Sequence, residues 1–121
     1  VQDLAALVPC DPLQVGDEAC GSTFIDGFAR RAYRRALAAD ERARLQAVFT
    51  WGLGDGGFAR GIELTLQAIL QAPAFLSRVE SGEPDDALPP GLRRLTGWEL
   101  ASRLSFLIWA STTSRMPVSR L

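Results

Sequence analysis

An all-α fold is predicted for this 121-residue chain by three features of its sequence. Apolar residues recur at helical spacing in four stretches, no stretch keeps the period-two alternation of a strand, and Gly and Pro cluster between the periodic stretches. At 47% hydrophobic residues the chain can bury one small core, roughly two-thirds of its unfolded surface, and a second independent domain is not expected. The expected arrangement is a three-helix unit followed by a fourth helix after a Pro/Gly-rich linker.

Residues 1–21 read as a loop-like lead-in, broken by Pro9, Pro12, Gly16 and Gly21 and carrying the only cysteines, Cys10 and Cys20. If these paired, the small closed loop would contribute about 2 to 3 kcal/mol. Spacing alone leaves a disulfide and two free thiols both open. Two cysteines without a histidine cannot complete a tetrahedral zinc site, so no metal site is expected.

The three-helix module is placed at residues 22–80. Its first helix is predicted from about Thr23 to Leu37, with Thr23 and Asp26 as a weak capping box and Phe24, Ile25, Phe28, Ala29, Ala32, Tyr33 and Leu37 on the apolar side. Asp26 stands four residues before Arg30, the favourable order for a helical ion pair. The second helix, about Asp40 to Trp51, opens with Asp40 and Glu41 at its positive dipole end, buries Leu45, Val48 and Phe49, and is ended by Gly52, Gly54, Gly56 and Gly57. The third, about Phe58 to Gln71, repeats Phe58, Ile62, Leu66, Ile69 and Leu70 until Pro73 stops it.

Residues 81–94 form a linker by composition, with Gly82, Pro84, Pro89, Pro90 and Gly91. The last segment, 95–121, holds one helix and an irregular tail. That helix starts at the clearest cap in the chain, Thr96 with Glu99, and carries Leu100, Leu104, Leu107 and Ile108 between Trp98 and Trp109. The tail from Thr112 onward has no apolar period.

Charge and residue types exclude several functions. All thirteen basic residues are arginine, so a Ser-His-Asp or Cys-His nucleophile, a histidine metal site, a Cys-x-x-Cys-His haem attachment and a lysine Schiff base are ruled out within this chain. Six arginines lie between Arg30 and Arg44, but Asp26, Asp40 and Glu41 share the stretch and the net charge is −1, which favours a solvated, internally paired helix face over a nucleic-acid surface. The glycine run before Phe58 lacks the Gly-Lys-Ser/Thr ending of a phosphate loop, and no cofactor site is expected. Glu63, Glu80, Glu83, Asp85 and Asp86 supply carboxylates, yet nothing in their spacing joins two of them into an acid-base pair, and no catalytic residue is assigned. Arg103 lies within an apolar helix and calls for a carboxylate partner: Glu99, one turn back, is the candidate, with Glu80 as the other choice. No run is long and apolar enough to span a membrane.

Phe28-Ala-Arg-Arg-Ala-Tyr-Arg-Arg-Ala-Leu37, Asp40-Glu41 and Ala68-Ile-Leu-Gln-Ala-Pro-Ala-Phe-Leu-Ser-Arg-Val-Glu80 resemble the bacterial module catalogued as domain of unknown function 1595, over Cys20 to Glu80. Leu95 to Ser111, with Glu99-Leu-Ala-Ser-Arg-Leu-Ser-Phe-Leu-Ile-Trp109, resembles the opening of domain of unknown function 1592. The resemblance implies a large exported multidomain protein, sometimes with a c-type cytochrome segment, and brings no known catalytic residue. In such a protein Cys10 and Cys20 are implied to be disulfide-bonded. Two departures stand out. Arg34-Arg-Ala-Leu-Ala38 replaces the family's Arg-Arg-Pro-Leu-Thr, and the tail after Trp109 replaces a Pro-Asp-Asp type continuation, as a frameshift or truncation would.

Val1 in place of Met, with no basic n-region before Pro9, fits the interior of a longer protein whose leader precedes it. The expected function is therefore that of a non-catalytic helical piece of a larger exported protein, in the periplasm or at the cell surface, with a structural or interaction role. Its partners would be other domains of that protein, or another protein, engaged through the last helix. The alternative is a piece of an enzyme or cytochrome-linked electron-transfer protein whose reactive centre lies in other domains.

Overall fold

Gly56 and Gly57 are the only residues with non-helical backbone between Ala39 and Gln71. Gly57, at φ 77° and ψ −169°, occupies a conformation open only to glycine, so the chain turns here and not at Gly52. The computed structural model describes residues 4–77 and 80–110, and its described elements are helical. They are α1 (Leu4–Leu7), α2 (Pro12–Val15), α3 (Asp17–Tyr33), α4 (Ala39–Gln71), α5 (Pro73–Leu76) and α6 (Gly97–Trp109). No helix among the described residues is long and apolar enough to cross a membrane. The chain divides into two units, Val1–Ser77 and Arg78–Leu121.

Much of the expected loop-like lead-in is helical. α2 is capped by the Asp11 carboxylate, which accepts the Leu13 amide at 3.0 Å, and carries Pro12 in its first turn. Gly16, at φ 87°, ends it, and α3 begins at once with Asp17 and Glu18 at its positive end. α3 thus starts six residues before Thr23, whose hydroxyl donates to the Ala19 carbonyl instead of capping. It stops at Tyr33 because Arg34 takes the left-handed conformation, φ 59°.

In the first unit α3 packs on both arms of α4. Cys20, Phe24, Ile25, Ala29 and Tyr33 of α3 meet Leu45, Phe49, Ile62 and Ile69 of α4 in one core, joined by Val8. Phe28, Ala32, Leu37, Phe58 and Leu66 line its edge, and Val48 is half-buried. The arms of α4 cross at Gly52 and Gly61, where a Cβ on Gly52 would sit 2.8 Å from the Gly61 Cα. Gly52 is a crossing point, not a helix end. Phe49 is fully buried, and its ring fills the space left by Gly21 of α3 and Gly61 of α4: a Cβ at either would lie 2.4 or 2.8 Å from it. Thr65, equally buried, donates its hydroxyl to the Gly61 carbonyl at 2.8 Å.

Ala72 is extended, as a residue before proline must be, so Pro73 ends α4 and then opens α5.

In the second unit the expected linker is folded on itself. Glu83 and Arg94 form an antiparallel bridge with backbone hydrogen bonds of 2.7 and 3.0 Å. Asp85 accepts the Ala87 amide at 2.9 Å and the Arg94 guanidinium at 2.6 Å, closing the turn. The aperiodic tail expected from Thr112 lies outside the described residues.

Candidate functional site

The charged residues fall into separate pairs, and each has a structural task. Arg35 holds Glu41 with two parallel bonds of 2.7 Å, while Glu41 also accepts the Ala38 amide at 3.0 Å. That bidentate pair is the main reason the Glu41 carboxyl is held down to about 2. It closes the α3–α4 connection, and the Arg35 guanidinium lies 5.7 Å from the centre of the Tyr33 ring. Asp26, expected to pair with Arg30 within its own helix, gives both oxygens to Arg42 across the helix interface, at 2.6 and 2.7 Å. The same arginine reaches the Ser22 hydroxyl, and its bond to Asp26 lowers that carboxyl. Arg60 bridges Asp55 and Glu63 beside the Gly56–Gly57 turn.

Arg34 has no local signal in the sequence. Its guanidinium reaches the carbonyls of Ala74, Phe75 and Ser77, 40 to 43 positions away, and neutralises the carbonyl end of α5. The second arginine pair of the Arg-rich phrase thus ties α3 to the end of the module through Arg34 and to the start of α4 through Arg35.

The pair expected between Arg103 and Glu99 is replaced. Arg103 holds the Glu80 carboxylate, with Nε 2.9 Å from both oxygens, because Glu99 is occupied elsewhere. Glu99 accepts the Thr96 amide at 2.8 Å, completing the capping box, and its other oxygen accepts the amides of Ser81 and Gly82 at 2.8 and 3.0 Å. The Gly82 and Thr96 amides lead in holding its carboxyl down to about 2. Cap and loop are thereby fixed by one side chain.

Cys10 and Cys20 are disulfide-bonded. The bond links the segment between α1 and α2 to the first turn of α3, where Cys20 is fully buried. Among the described residues no three Cys, Asp or Glu side chains gather into a cation cage.

α6 carries its side chains in an unusual distribution. Leu100, Leu107, Ile108 and Trp109 are exposed, Leu107 to 81%, whereas the helix's one buried residue is Ser105, whose hydroxyl donates to the Ser102 carbonyl at 2.9 Å. Leu100, Leu104, Leu107 and Ile108 lie at i, i+4, i+7 and i+8 and share one face. An apolar helical face turned to water marks a surface built for contact.

The family model described as PSD5, protein of unknown function (DUF1595), matches residues 20–80. The chain belongs to this family. No curated protein and no solved structure matches it. The PSD5 region begins at the disulfide cysteine of α3 and spans α3, α4 and α5, so the Arg34, Arg35 and Arg42 contacts and the glycine slot around Phe49 all fall inside it. α6 lies beyond the matched residues.

Proposed function

We propose that this PSD5 chain is a non-catalytic packing module of a larger exported protein, and that α6 is its docking element, corresponding to the opening of a domain of unknown function 1592. The observation that carries the reading is the exposed face of α6, with Leu107, Ile108 and Trp109 in water while Ser105 is buried. A docking partner would be another domain of the same protein, supplying an apolar surface that accepts these side chains.

Two further features support it. The carboxyls of Asp26, Glu41, Asp85 and Glu99 are all shifted down by cations or amides, opposite to the raised value a general acid needs near neutrality. The Cys10–Cys20 disulfide suits the oxidising compartment that export would provide.

The test is to produce the chain and the remainder of its parent polypeptide as separate products and measure their association by analytical ultracentrifugation, with wild type and with Leu107→Asp/Ile108→Asp. Association that the double variant abolishes, with its circular dichroism unchanged, is expected. A wild-type chain that stays unbound to the remainder of its parent would refute the proposal.

A further inference from the structure

A second feature of the first unit points to a ligand. A cleft of about 280 Å³ is lined by Leu7 and Pro9 from the segment before the disulfide and by Phe24, Gly27, Phe28 and Arg31 of α3. The volume lies at the small end of the range for ligand pockets, enough for a benzyl group or a short acyl chain.

Three observations define what would fit. The rings of Phe24 and Phe28 stack with centroids 5.3 Å apart, giving the cleft an aromatic lining. Gly27 sits in the interior of α3, where glycine weakens a helix relative to alanine, and neither a turn nor a close neighbour requires it: a Cβ there would meet nothing within 4 Å. Gly21, in the same helix, has Phe49 against it; Gly27 has only the open cleft. A side chain at 27 would project into space the cleft now keeps. One turn further on, Arg31 also lines the cleft, and among the described residues its guanidinium makes no hydrogen bond or ion pair, unlike Arg34, Arg35 and Arg42 of the same Arg-rich stretch. The disulfide ties the Leu7–Pro9 side to α3, so the cleft is held in shape before anything binds.

We propose that this cleft binds an apolar monocarboxylate, with the hydrocarbon part against Phe24, Phe28 and the surface opened by Gly27, and the carboxylate on Arg31. The group is either a free small acid or the terminal carboxylate of a peptide ending in an apolar residue. Both present the same chemistry.

The experiment follows backbone amide and Phe ring resonances of the full chain by NMR during titration with 3-phenylpropionate, its amide, and Gly-Gly-Phe with a free or an amidated terminus. Saturable shifts at Gly27, Phe28 and Arg31 are expected for the carboxylates, with the amides about tenfold weaker. Preference for 3-phenylpropionate over Gly-Gly-Phe assigns a free acid, and the reverse assigns a chain end. Arg31→Gln should weaken the acid about tenfold while leaving the amide unchanged. Gly27→Ala and Gly27→Leu should weaken binding progressively and leave the melting temperature equal or higher, a combination that misfolding cannot produce. Absence of saturable shifts, or binding indifferent to Arg31→Gln and Gly27→Leu, overturns the proposal.

Discussion

The enclosure of Phe49 makes a sharp energetic prediction about Gly21. On helix propensity alone, Gly21→Ala in the interior of α3 should stabilise the protein by about 1 kcal/mol. The structure predicts the opposite sign. The new Cβ would lie 2.4 Å from two atoms of the Phe49 ring, about 1 Å inside any tolerable contact, and the ring cannot retreat because Gly61 closes on it from the other arm of α4. Overpacking a core in this way costs about 1 to 3 kcal/mol and more where both sides are backbone, so a net loss of about 2 kcal/mol is expected, a fall in Tm of roughly 10 °C for a unit of this size. The assay is urea denaturation followed by far-UV circular dichroism, on wild type, Gly21→Ala, Phe49→Leu and the double variant. Phe49→Leu alone should cost about 1 to 2 kcal/mol through the space it empties. In the Gly21→Ala background the smaller side chain relieves the clash, so the two effects should fall short of additivity by at least ~1 kcal/mol. A Gly21→Ala variant as stable as wild type, or additive costs, would refute the slot.

Further predictions concern the caps, the titrating groups and the disulfide. Ala38 is the N-cap of α4 with the extended backbone a cap needs but no side chain to serve it, while Glu41 already reaches back to its amide; Ala38→Thr, the family's residue there, should complete the box and stabilise the chain by about 1 kcal/mol in the same denaturation assay. Glu41 is shifted from 4.5 down to about 2, so its pair with Arg35 contributes fully above about pH 4.5 and is lost as pH falls through about 2. With both partners partly exposed, Glu41→Gln should cost about 1 kcal/mol at pH 7, and wild type and variant should converge toward pH 2 in acid-unfolding curves. Reducing Cys10–Cys20 should lower stability by about 2 to 3 kcal/mol, read as a lower urea midpoint in the presence of a reductant.

What could be read in the sequence was local. The helical class, the apolar stripe of α3, the stop at Pro73 and the Thr96–Glu99 cap each depend on residues within a few positions of one another. The errors came where a residue serves a distant neighbour. Gly21 and Gly52 look like breakers, yet both lie inside helices, because a ring or another backbone passes over them. Gly16 with Asp17 and Glu18 did mark the true start of α3, but the glycine at 21 argued against a helix there. The partner of Arg103 could not be ranked, since the choice of Glu80 depends on Glu99 being taken up by the folded loop at Ser81 and Gly82. Of the candidate surfaces, the apolar residues of α6 were visible in the pattern, but their exposure was not: the same period describes a buried helix and one awaiting a partner.

The arginine-only basic complement takes on a physical meaning when its contacts are compared. Arg35, Arg42 and Arg103 each grip a carboxylate through two nitrogens, Arg34 spans three carbonyls and Arg60 spans two acids. Each task uses the planar fork, which a lysine ammonium lacks. Yet the pairs are surface pairs, worth little apiece, so they cannot be the source of stability. Stability resides in the slot around Phe49 and the disulfide. What the arginines supply is direction: which end of α5 meets α3, which turn of α4 lies against Asp26, and where Glu80 stands beside α6. Such a division, with apolar packing for energy and arginine forks for register, suits a module whose task is to hold surfaces such as the face of α6 and the Arg31 cleft in fixed shape.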